Sequence, residues 1–213
     1  HLLHYQVAEE ENVGTWSAFF QHLVARGLDC QAVQVVTSDG TKGVLTVVET
    51  YLPKAELQRC TVHKVRGFVR HLSYADLPSA DPDTGTPMTQ AEARQQRRYT
   101  MKKQALEVFD APTRPEAEQR LAAFVANWKP LEPRAVRNFT WGIKRCFTFY
   151  QLEVTLHPLV RSTNLLERFF REFRNKADEI GAFPNEDSCL TVFHLVMVRD
   201  HAKHNRIDFA NTG

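Results

Sequence analysis

Hydrophobic positions change period several times along the chain, and each change marks an element. Leu2-Leu3-His4-Tyr5-Gln6-Val7 is short and extended in character, predicting a strand over residues 2–8. Trp16, Phe19, Phe20 and Leu23 then recur at helical spacing, predicting a helix from about Thr15 to Arg26 that Gly27 closes. The β-branched run Ala32–Thr37 predicts a buried strand, and Val44, Leu45, Val47, Val48 and Tyr51 a helix. A further strand, Leu57–His63, leads into a helix carrying Val65 and Phe68. Strands alternating with helices predict an α/β sheet.

Beyond Leu72 the pattern turns helical. Asp76–Pro87 holds too much Pro, Asp and Gly for regular structure and reads as a loop or hinge. Thr89 with Glu92 is a capping box opening a long polar helix to about Phe109. Leu121, Phe124, Val125 and Trp128 give a second stripe, and Val136, Trp141, Ile143 and Phe147, after Pro133, a third. Pro158 breaks the chain before a last amphipathic stretch. The expected layout is therefore a sheet-bearing core over 1–72, an all-α insertion over 73–158, and C-terminal helices of the core over 159–213.

That last stretch carries the most distinctive side chain. At about 100° per residue, Leu165, Leu166, Phe169, Phe170 and Phe173 share one arc, with Asn164, Glu167, Arg171 and Arg174 opposite. A carboxylate framed by arginines suggests a metal or phosphate site. A local reading stands beside it: Asn164 and Glu167 have capping-box spacing, and Glu167 with Arg171 that of an i,i+4 ion pair. Asp39 is the second acid of interest, because Ser38-Asp39-Gly40 follows a strand and sites of α/β sheets open at strand carboxyl ends. It too has a local reading, as a helix cap or turn residue. The two acids lie far apart in sequence, yet an insertion that folds as its own unit leaves its ends adjacent. If the two carboxylates meet in one cleft, they suit Mg²⁺ and phosphodiester chemistry.

Composition narrows the classes. With 213 residues, 43% of them hydrophobic, the chain has enough apolar mass for a full core and is no disordered tail. No apolar run reaches the roughly 18 residues of a membrane span, and Glu9, Glu10 and Glu11 sit where a secretory leader would be basic. A cytosolic protein without a membrane partner is expected. Opening on His1 and almost at once on a strand, the chain reads as a piece of something longer. Cys30, Cys60, Cys146 and Cys189 have no paired spacing, so free thiols are expected.

Net charge is only +2, so any nucleic-acid argument rests on where charges lie. They segregate into three runs: Arg59, Lys64, Arg66 and Arg70; Arg94, Arg97, Arg98, Lys102 and Lys103; and Arg161, Arg168, Arg171, Arg174 and Lys176. Lys64, Arg66, Arg168, Arg171 and Arg174 are the candidate nucleic-acid contacts. Cys60-x-x-His63 has a zinc-like spacing without a second ligand pair, and filling space at a strand end is the competing reading. Trp141 beside Lys144 and Arg145 offers a face for an unpaired base, with a core role placed first. His194, His201 and His204 read as a solvated helix face.

Taken in order, these motifs resemble the mutator-type transposases of bacterial insertion sequences. Val36–Gly43 looks like the segment of the family's second catalytic aspartate, and Gln58–His63 is similar to its Cys-x-x-His strand. Ser162–Glu167 resembles the glutamate segment, followed by Arg171, Arg174 and Gly181-Ala182-Phe183-Pro184. The resemblance implies a ribonuclease-H-like mixed sheet, N-terminally incomplete, with the helical insertion placed before the catalytic-glutamate helix. It implies an Asp-Asp-Glu triad in which Asp39 and Glu167 are catalytic metal ligands, with Cys60, His63, Asn164 and Trp141 near the site. The first aspartate would lie upstream of His1, leaving the fragment alone inactive. DNA cleavage and strand transfer by at least a dimer are then the expected functions. A nuclease lacking strand transfer and a decayed DNA-binding module are the alternatives.

Overall fold

A computed structural model describes residues 3–210, with side chains as far as Lys203. The chain is mixed α/β and mostly helical, with a small parallel sheet of two strands among the described residues. Two compact units interleave along the sequence: one holds residues 1–34, 41–55 and 163–213, the other residues 35–40 and 56–162. No described helix is long and apolar enough to cross a membrane.

In the first unit, helix α1 (Val13–Ala25) starts because the Asn12 side chain accepts from the Thr15 amide at 3.0 Å. Its Phe20 is buried and stacks on Tyr51 of α2 (Lys42–Tyr51), ring centroids 5.7 Å apart. Helices α8 (Asn164–Ile180) and α9 (Glu186–Ala210) pack through Phe169 and Phe173 against Phe193, at 5.1 and 5.0 Å. The strand expected over residues 2–8 does not form over its described part, residues 3–8. Tyr5 spends its apolar face on Phe193 instead, at 4.5 Å. Leu2 lies outside the described residues, as does the side chain of His204; His194 is exposed, as a solvated face requires.

The second unit contains the sheet. Strand β1 (Val35–Ser38) pairs in parallel with β2 (Glu56–Arg59), in the register Val35↔Glu56 to Ser38↔Arg59. The predicted second strand ran to His63, but Thr61–Val69 forms α3. Both the amide and the hydroxyl of Thr61 donate to the Arg161 carbonyl at 3.0 Å, which turns the chain out of the ladder.

Helices α4 (Gln90–Phe109), α5 (Arg114–Trp128) and α6 (Pro133–Thr140) enclose the core with α3. The Thr89–Glu92 capping box forms as the spacing predicted. The third predicted stripe does not form one helix. Gly142, in the left-handed region at φ 66°, ends α6, and two 3₁₀ turns follow, burying Ile143, Cys146, Phe147 and Phe149. Buried Gln58 binds this segment to β2, donating to the Cys146 carbonyl at 3.2 Å and accepting from the Phe149 amide at 2.8 Å.

Candidate metal and nucleic-acid site

The carboxyl ends of the two strands gather several of the candidate residues. Asp39 follows Ser38, whose carbonyl accepts from the Cys60 amide at 2.7 Å and carries the parallel pairing one residue past β2. The short helix α7 (His157–Val160) closes this edge: the Thr37 hydroxyl donates to the Val160 carbonyl at 2.7 Å, and Thr61 holds Arg161. Asp39 is half-buried. The Gly40 amide donates to the Ser38 hydroxyl at 3.2 Å, with Gly40 at φ 88°. A Cβ there would stand 2.8 Å from Arg59 Nε, so the positive φ favours glycine and any larger residue would also have to displace the Arg59 side chain. Arg59 was grouped only with a basic run by its sequence. Arg59 is half-buried, and its Nε lies buried without a hydrogen-bond partner beside the Asp39–Gly40 turn. The parallel register, which sets Arg59 opposite Ser38, was the missing signal.

Cys60 is fully buried at the start of α3, and its Sγ lies within 4.8 Å of a ring nitrogen of half-buried His63. All four cysteines are free thiols.

Glu167 stands in the other unit, half-buried in the first turn of α8. The cap is Thr163 rather than Asn164, which is the helix's exposed first residue. Thr163 holds the acid directly, its hydroxyl donating to Glu167 Oε1 at 3.1 Å. Arg168, Arg171 and Arg174 follow, all exposed. Arg161 is less available, since Asp110 engages it at 2.7 Å.

Two sequence-based assignments need correction. Lys64, taken as a DNA contact, is 2% exposed, and its ammonium donates to the carbonyls of Asn138 at 2.7 Å and Trp141 at 2.6 Å. It ties α3 to the end of α6, out of reach of a phosphate, whereas Arg66, two residues on and on the opposite face of the helix, is exposed. Trp141, placed first in the core, is 74% exposed: α6 stops at Thr140, and the turn at Gly142 leaves the indole outside next to exposed Lys144 and Arg145.

Burial, and after it the Arg59 charge, lowers the Lys64 ammonium to about 8; burial raises the Cys146 thiol to about 12. Because the folded value for Lys64 lies below the unfolded one, the unfolded chain binds more protons just above pH 8, and stability rises with pH there. Above the ordinary thiol value of 9.0 the sign for Cys146 is opposite, since only the unfolded thiol ionises, and the two contributions oppose. Urea denaturation is expected to show stability rising by roughly 0.5 kcal/mol between pH 8 and 9, the lysine gain less the opposing thiol loss, and a slight fall for Lys64→Met, in which only Cys146 contributes. The same rise in both proteins would remove the lysine as its source.

The family model described as "Transposase, Mutator family" matches residues 1–84 and 87–206. The chain belongs to the Mutator family of transposases. It is 29% identical over 94% of its length to the transposase for insertion sequence element ISRM5 of Rhizobium meliloti, covering 44% of that protein. It is 30% identical over 90% of its length to the transposase for IS406 of Burkholderia multivorans, covering 44%. Against the transposase for IS256 in transposon Tn4001 of Staphylococcus aureus, identity is 26% over 94% of the chain and 46% of the relative. The chain thus spans about half the length of these family members.

Proposed function

We propose that the chain is the larger part of the catalytic domain of an insertion-sequence transposase, which cuts DNA at element ends and joins the freed 3′ hydroxyl to target DNA. The family match across nearly all of residues 1–206 carries this reading. On it, β1 and β2 belong to a ribonuclease-H-like sheet completed upstream of His1, where the first triad aspartate lies. Residues 73–158 are then an insertion between the two parts of that core, and the working form on DNA is at least a dimer in the bacterial cytoplasm.

Asp39 and Glu167 are the proposed metal ligands. Their carboxylates are hard oxygen donors, half-exposed rather than sealed, which suits Mg²⁺ or Mn²⁺; the neighbouring Cys60 thiol is soft and fully buried, a poor partner for either. Bound divalent ions would supply Lewis acidity to an in-line displacement at phosphorus. The chain's own residues do the rest. Gly40 and Ser38 fix the turn that presents Asp39, and Thr163 orients Glu167. Arg66, Arg168, Arg171 and Arg174 neutralise phosphates and hold the strand in place.

The test uses the full-length parent protein in a strand-transfer assay with labelled element ends. Asp39→Asn and Glu167→Gln are each expected to lower joining at least about a hundredfold, since losing a ligand forfeits several kcal/mol of charge stabilisation, while binding of end DNA persists. Retained joining would overturn the assignment, and cleavage without joining would point to a nuclease.

A further inference from the structure

The second unit carries an open groove of about 1000 Å³ between α4 and the loop before it, well separated in sequence from Asp39 and Glu167. Arg94, Arg98 and Lys102 line it, all exposed and four residues apart, so they form a row of cations spaced about 6 Å along the helix. That pitch is of the order of the separation between successive phosphates on a nucleic-acid strand. Tyr74 and Tyr99 line the same groove. Tyr99 is 67% exposed, which leaves its ring face accessible from the groove, and the Arg94 guanidinium lies 5.9 Å from the Tyr74 ring centroid.

Two acids share the groove with the row, Asp81 and Glu92, leaving the three cations one charge in excess, and both carboxylates are tied into the wall by hydrogen bonds of their own. Asp81 accepts from the amides of Asp83 and Thr84 and from Gln96, and Glu92 is committed to the Thr89 capping box. From Ala93 to Leu106 helix α4 has no acidic residue. The wall opposite is fixed rather than loose. Buried Arg97 donates to the carbonyls of Ala75 and Asp76, while fully buried Glu132 accepts from the Ser73 and Tyr74 amides. This clamp holds Tyr74 at φ 54°.

We propose that this groove binds an unpaired DNA strand, with Arg94, Arg98 and Lys102 on consecutive phosphates and Tyr99 stacking on a base. The identity of the nucleic acid as DNA rests on the transposase reading. The preference for an unpaired strand rests on the exposed ring, because a stacked duplex offers no free base face to it. Such strands exist where an element end has been cut and its flank frays. The second basic run, left over by the two-acid site, thereby acquires a role.

Fluorescence anisotropy of a labelled 20-nucleotide single strand with the intact chain tests this without any catalysis, so its outcome is separable from that of Asp39 and Glu167. The triple variant Arg94→Gln, Arg98→Gln, Lys102→Gln is expected to bind more weakly, with its log–log salt slope reduced by about 2. Tyr99→Ala is expected to lose about tenfold, the scale of one base–aromatic stack, and Tyr99→Phe to restore it. All four positions are exposed, so thermal midpoints should match the parent chain and separate lost binding from lost fold. An unchanged slope in the triple variant overturns the proposal. So does equal binding of a matching duplex with Tyr99→Ala neutral, which would make the surface a duplex contact.

Discussion

Replacing Glu132 with alanine is expected to destabilise the second unit by about 3–5 kcal/mol, the cost of stranding a buried charge. Glu132 is fully buried and serves four donors at once: the Ser73 amide at 2.6 Å, the Ser73 hydroxyl at 2.8 Å, the Tyr74 amide at 3.0 Å and Arg97 Nη1 at 3.3 Å. Its removal leaves the Arg97 guanidinium, 8% exposed, with only the two loop carbonyls as partners. Glu132→Gln keeps an acceptor but not the charge and should cost roughly half as much, since hydrogen bonds to a charged group are worth about 1.5–3 kcal/mol. Amide hydrogen exchange is the appropriate readout, because a chain of two compact units need not unfold in one step. Protection should fall across α4 to α6, with the Ser73 and Tyr74 amides exchanging first. A loss below about 1 kcal/mol would mean that water replaces the carboxylate at little cost.

Such a residue shows what a sequence withholds. Glu132 lies between Leu131 and Pro133 in a polar neighbourhood, and nothing local marks it as a buried hub; its partners come from 35 to 59 positions away. Lys64 was misplaced for the same reason. Its neighbours Arg59, Arg66 and Arg70 make it look like one of a row, but the helical period that puts Val65 and Phe68 in the core takes Lys64 with them. Local signals fared better. The Thr89–Glu92 box, the helix after Pro133 and the strand that ends before Asp39 depend on side chains a few positions apart, and all three form. The expected strand at residues 2–8 illustrates the limit of that logic, since a strand needs a partner and pattern alone supplies none. Asp39 and Glu167 were singled out by order and spacing within a family likeness, which is evidence of kinship rather than of geometry. The left-handed turn that favours glycine at position 40 and the Arg59 Nε beside it became visible only with the strand register in hand.

Truncating Phe139 to alanine is the other substitution with a large expected effect, again about 3–5 kcal/mol for an aromatic ring removed from a core. Its ring is fully buried at the meeting of α3, α4, α5 and α6, with Phe68 at 5.2 Å, Phe124 at 4.9 Å and Phe109 at 5.9 Å. The contacts with Phe68 and Phe109 are edge-to-face, interplanar angles 65° and 69°, a geometry worth about 0.5–1.5 kcal/mol per pair beyond area burial. Phe139→Leu refills most of the volume without the ring geometry and should cost clearly less. The consequence reaches the surface through Asn138 and Trp141, which flank the ring in sequence and whose carbonyls hold Lys64. If α6 loosens, Lys64 loses its acceptors and the turn that exposes Trp141 loses its anchor. Phe139→Ala should therefore also flatten the rise in stability between pH 8 and 9 that Lys64 produces. A variant that is destabilised yet keeps the full pH-dependent rise would show that the aromatic cluster and the lysine clamp are independent.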